Sequence, residues 1–189
     1  MYRERMETLK EWKVSKNRKP LIIRGARQVG KTWLMKEFGK LYYEKCAYIN
    51  FDNNSRMDIL FNEEFDLNRI IQGLKIESGI NIEPENTLII FDEIQETPNA
   101  LKALKYFYEN ANEYHIVAAG SLLGVAMHQG TSFPVGKVNF MDLMPLSFFE
   151  FLDALGQDHL LNLLKNIEFD MISVFNNNCL LYTSPSPRD

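Results

Sequence analysis

Gly25 and Gly30 stand five apart, and Lys31 and Thr32 follow at once. The stretch "GARQVGKT" matches G-x-x-x-x-G-K-[ST] in full. Glycine tolerates backbone angles that other residues resist, so successive N–H groups can turn inward around an anion. Gly25, Ala26, Arg27, Gln28, Val29 and Gly30 form this phosphate cradle. Lys31 reaches the β- and γ-phosphates as a point charge, and Thr32 supplies a hydroxyl to Mg²⁺. Arg27 and Gln28 sit at the loop tip, in contact with phosphate or with solvent. A helix opening at Lys31, with Trp33 in its first turn, points its positive end at the phosphates.

A second constellation lies in "TLIIFDEIQ". Asp92 falls just past a buried strand, at the end where parallel sheets carry their ligands. A carboxylate there holds Mg²⁺, commonly through water. Glu93 follows directly and is placed to polarise an attacking water. Binding alone requires no such acid, whereas hydrolysis benefits from one. A third piece, "AAGS", closes the fourth strand with small residues and Ser121. Ser121 is either a sensor for the γ-phosphate or the N-cap of the helix after it.

These groups need a scaffold of strands alternating with helices. Helices are expected over 1–16, over about 31–43, and over 55–79 with an interruption near Asp66. The second carries the stripe Leu34, Phe38, Leu41 and Tyr42. Strands are expected at 21–24, 47–51, 87–91, 115–119 and 137–143. Thr97 is expected to cap a helix that begins at Pro98. Ser147 and Glu150 have capping-box spacing, with Leu146 and Phe151 as the staple. Short helices follow to about 155 and over 158–167. The alternation implies an α/β fold, a parallel sheet with helices on both faces.

The 189 residues suit one domain. Apolar residues make up 46% and charged residues 24%, the composition of a globular chain. A net charge of −4 provides no general field for nucleic acid, so a nucleic-acid partner is not supported. Cys46 and Cys179 are far apart in sequence, and the three histidines show no metal spacing. No apolar run approaches a membrane span and the start has no signal-peptide core, so a cytoplasmic location is expected. No N-K-x-D motif for guanine is present. The ending "NNNCLLYTSPSPRD" reads as disordered over 169–189, and residues 179–189 resemble a translated sequencing adapter.

With its three pieces in place, the chain resembles an AAA-type P-loop ATPase with a catalytic glutamate. It is similar to prokaryotic ATP-binding proteins whose N-terminal AAA domain precedes a C-terminal domain of unknown function. The resemblance rests on "RKPLIIRGARQVGKTWL", "LIIFDEIQ", "LKYFYEN" and "HIVAAGSLLGVAMHQGTSFPVGKVNFMDLMPLSFFEFL", and it covers roughly residues 5–165. It implies ATP and Mg²⁺ as cofactors and a three-layer α/β/α sandwich with sheet order 5-1-4-3-2. It carries Lys31 and Thr32 over as phosphate and Mg²⁺ contacts, Asp92 as the metal residue and Glu93 as the water-activating base. The expected domain spans 1–168, and the family's C-terminal domain is expected to be missing. Many AAA relatives place Asn where Ser121 stands, and no arginine finger can be assigned. The implied activity is ATP hydrolysis that drives a conformational change. A non-hydrolysing switch that docks a protein partner is the alternative, and a nucleic-acid motor ranks third. Self-association is the other partner expectation.

Overall fold

The computed structural model describes residues 3–62, 66–120 and 136–165. Ser121 and the tail expected at 169–189 lie outside the described residues. Residues 3–145 belong to one compact unit, and 146–165 belong to another.

The larger unit begins with helix α1 (Arg5–Val14) and strand β1 (Leu21–Arg24), then helix α2 (Lys31–Tyr42) and strand β2 (Lys45–Asn50). Helices α3 (Ser55–Asn62) and α4 (Leu67–Ser78) lead to strand β3 (Thr87–Asp92). A short 3₁₀ turn (Ile94–Glu96), helix α5 (Pro98–Asn110) and strands β4 (His115–Ala119) and β5 (Asn139–Asp142) complete it. The five strands are parallel throughout, in the order β2-β3-β4-β1-β5. This is the expected 5-1-4-3-2 arrangement.

Strand side chains alternate between faces, and the two cores divide accordingly. Ile89 and Phe91 of β3, with Ile22, Ile116 and Ala118, pack beside apolar residues of α3, α4 and α5. Leu88 and Ile90, with Leu21, Ile23, Val117 and Ala119, pack beside those of α1 and α2. Every residue of β3 and β4 is buried, as both must be with helices covering each face. The even positions of β3 thus share the α2 face, which decides where Asp92 points.

Two local expectations are corrected, and a third, the interruption near Asp66, is borne out. Leu41 is 55% exposed, because α2 turns Gly39 to the sheet in its place. A Cβ on Gly39 would lie 2.7 Å from Cys46 Sγ, so a larger residue there would have to displace the Cys46 side chain. Thr97 occupies the N-cap position of α5, yet its hydroxyl makes no cap bond and donates to Asp58 Oδ1 at 2.5 Å. The interruption near Asp66 is a true cap, its carboxylate accepting from the N–H groups of Asn68 and Arg69.

At the opposite end of the sheet from the acids, His115 is buried beside Trp12 and shares a 2.7 Å hydrogen bond with Tyr43. Its Nε2 has no hydrogen-bond partner among the described residues. Burial, with the charges of Arg18 and Lys13, pushes its pKa down to about 4 from 6.5. Between these values the unfolded chain binds the proton and the folded chain does not. The neutral imidazole's contribution is therefore complete above pH 6.5 and is lost as pH falls towards 4. The loss is roughly 3 kcal/mol at most. Urea melts from pH 7 to pH 4 should show a steeper decline for the parent than for His115→Asn.

In the smaller unit, helix α6 (Phe148–Ala154) opens with the expected capping box. Ser147 Oγ accepts from Glu150 N at 3.2 Å, and Glu150 Oε2 accepts from Ser147 N at 2.9 Å. Leu146 and Phe151, expected as the staple, both remain substantially exposed. Helix α7 (Asp158–Lys165) follows.

Candidate functional site

The loop from Gly25 to Gly30 joins the C-terminal end of β1 to the first turn of α2. Gly30 has φ +91° and Gln28 has φ +64°, left-handed values that curl the chain around a hollow. Gly30 accommodates this without cost, whereas Gln28 holds strain at the tip. Arg27, Gln28 and Trp33 are exposed, while Val29 and Lys31 are buried. The Lys31 ammonium folds back into the loop and donates to the carbonyls of Gly25 at 2.9 Å and Ala26 at 2.7 Å. Burial lowers its pKa, against the opposing pull of Glu93 and Asp92.

The loop is backed from within. Arg3, 4% exposed, donates to the Val29 carbonyl at 3.4 Å and to the Met144 carbonyl at 2.8 Å. A Cβ on Gly25 would lie 2.3 Å from the Leu143 carbonyl oxygen, and backbone cannot yield cheaply. Gly25→Ala is therefore expected to cost about 1–3 kcal/mol by overpacking, seen as a lower urea midpoint. A parent-like midpoint would show that the loop does not rest on Leu143.

Beside the loop stands the end of β3. The Thr32 hydroxyl donates to Asp92 Oδ2 at 2.7 Å, and the Tyr48 hydroxyl donates to the same oxygen at 3.0 Å. Asp92 is 5% exposed, so two donors compensate a carboxylate largely withdrawn from water. Burial and the neighbouring acids raise the Tyr48 pKa, keeping its proton on the phenol. Glu93 adopts φ +51°, ψ +42°, a left-handed conformation uncommon outside glycine and a mark of functional strain in other folds. Its Oε2 accepts from Gln95 Nε2 at 2.6 Å. Arg27, Lys31, Thr32, Trp33, Glu93 and Gln95 are among the residues lining one cleft of about 550 Å³, ample for a nucleotide's phosphates.

The structure thus brings together Lys31, Thr32, Asp92 and the cleft-facing Glu93, which are distant in sequence. Ser121 is not among the described residues. Tyr48, Gln95 and Arg3 escaped the sequence reading. Gln95 lies inside "DEIQ", but Tyr48 and Arg3 have no motif; only the register of β2 on β3 and the path of the N-terminus locate them.

A parallel sheet in this order, with a glycine loop after its first strand and an acid pair at the end of its third, defines a P-loop nucleotide-binding fold. The family model described as an AAA domain matches residues 17–152, and the chain belongs to that family. No curated protein matches the sequence. Among solved structures, the Walker-type ATPase PABY2304 of Pyrococcus abyssi superposes with a TM-score of 0.54 at 16% identity. That likeness covers 82% of this chain and 57% of the other. Drosophila ORC bound to DNA gives a TM-score of 0.53 at 18% identity, over 80% of this chain and 45% of that one. The chain therefore spans about half the length of these structures. At such identities the likeness is one of fold. Among the described residues, no helix is long and apolar enough to cross a membrane.

Proposed function

We propose that this domain binds ATP with Mg²⁺ and hydrolyses it. The observation that carries the reading is the 2.7 Å bond from Thr32 to Asp92. It couples the phosphate loop to the end of β3, beside a strained Glu93 that faces the same cleft. Lys31 would hold the terminal phosphates, with the backbone of residues 25–30, Thr32 and Trp33 around the nucleotide. A hydroxyl and a carboxylate are hard oxygen donors, the set Mg²⁺ takes together with phosphate oxygens. When bound there, the ion neutralises charge on the β- and γ-phosphates. Glu93 would accept a proton from the attacking water, and Ser121 would monitor the γ-phosphate. Turnover would then drive a conformational change.

A second reading, a switch that binds nucleotide and docks a protein without hydrolysis, draws on the smaller unit. Phe148, Phe149, Phe151 and Leu155 are each exposed there, and exposed apolar residues in number accompany protein contacts. Single-turnover phosphate release separates the two. The purified full chain, in excess over labelled ATP, is expected to release phosphate with Mg²⁺ and to stop in EDTA. Binding without release would replace hydrolase by switch, and no binding would overturn both.

A further inference from the structure

Tyr48 has a place in this site that no motif assigns. It lies on β2, where its register partner on β3 is Ile90, while Asn50 pairs with Asp92. Tyr48 and Asp92 therefore share the face covered by α2. From one step back along the strand, the phenol spans to the carboxylate and donates at 3.0 Å. Its ring is held from the other side by Lys36, whose ammonium sits 3.6 Å from the ring centroid. Lys36 is four residues after Thr32 on α2, so both face this strand end. The result is a continuous chain from Lys36 through the Tyr48 ring and hydroxyl to Asp92 Oδ2, which also accepts from Thr32.

The two donors on Asp92 differ in one respect. Thr32 belongs to the phosphate loop, and its oxygen is the one offered to a metal ion. Tyr48 belongs to β2 and is not among the residues lining the cleft. Its bond comes from outside the loop, fixing the rotation of the carboxylate and leaving Oδ1 as the oxygen that neither donor uses. Partners that orient a ligating carboxylate in this way tune metal affinity without contacting the metal.

We infer that Tyr48 is a positioning residue that orients Asp92 for metal-dependent nucleotide binding. This rests on the reading of Asp92 as the metal-side carboxylate of an ATP site. Tyr48→Phe removes one oxygen and keeps the ring under Lys36. ATP binding to the full chain, measured by titration calorimetry across a Mg²⁺ series and again in EDTA, tests it. Tyr48→Phe is expected to raise the Mg²⁺ concentration needed for half-maximal tight binding about tenfold. Affinity for ATP in EDTA should stay within about twofold, because Tyr48 is not among the residues lining the cleft and its hydroxyl bonds Asp92. A purely structural role would weaken binding equally with and without Mg²⁺, and that result overturns the inference. A parent-like Mg²⁺ dependence overturns it too. If the parent binds no ATP in either buffer, the proposed function fails and this inference fails with it. If the parent binds and only the variant's Mg²⁺ dependence is unmoved, the function stands and the role of Tyr48 alone is lost.

Discussion

Lys31→Ala is expected to weaken ATP binding by about a hundredfold or more. Hydrogen bonds to charged groups contribute about 1.5–3 kcal/mol each, and losing about 3 kcal/mol is roughly a hundredfold in affinity. Two features of the structure favour the large end. Lys31 is 6% exposed, so its charge acts where water screens poorly. Its ammonium already lies within the loop on the Gly25 and Ala26 carbonyls, so little of the side chain remains to be ordered when phosphate arrives. The alanine variant should stay folded, because Gly25 is only half-buried and Ala26 is exposed, just before the residues that line the cleft, so water can reach the carbonyls it releases. Trp33 lines that cleft, so quenching of its emission gives a binding curve for the parent. A flat curve with a parent-like melting transition is the expected result for Lys31→Ala. Parent-like affinity would show that the loop does not hold phosphate through this residue.

Glu93→Gln should keep ATP binding within about twofold and reduce phosphate release about 10²- to 10⁴-fold, the usual weight of a general base. The replacement is isosteric, and its amide oxygen can still accept the hydrogen bond that Gln95 donates to Glu93 at 2.6 Å. The left-handed backbone at this position should strain glutamine no more than glutamate. What disappears is the capacity to take a proton from water. Single-turnover release measured beside equilibrium binding separates the two effects. Equal release by Glu93→Gln and the parent would remove Glu93 from the catalytic role. The two variants also differ in kind, since one loses binding and hydrolysis together and the other loses hydrolysis alone.

Much of this architecture was legible in the linear pattern. β1 and β4 form over the residues expected of them, 21–24 and 115–119, because a buried strand is a short continuous apolar run bounded by polar residues. β2 begins two residues earlier than expected, at Lys45. Its start is set by pairing with Thr87 on β3, a partner the local sequence does not reveal. Leu41 illustrates the same limit within a helix. Helical spacing placed it on the buried stripe, but the close approach of Gly39 to Cys46 rotates α2 and leaves Leu41 in solvent. Thr97 has the right type and place for a cap, yet Asp58, from another helix, takes its hydroxyl.

The sequence alone determined the phosphate loop, the acid pair at the end of β3 and the alternation that builds a parallel sheet. Each depends on residues adjacent in the chain, where backbone freedom, charge and apolar spacing act locally. Tertiary structure decided what surrounds those residues. Tyr48 reaches Asp92 through strand register, Arg3 reaches Val29 from the N-terminus, and Leu143 lies against Gly25 across the sheet. Such contacts join distant parts of the chain, and their geometry exists only once the strands have paired and the helices have closed over them.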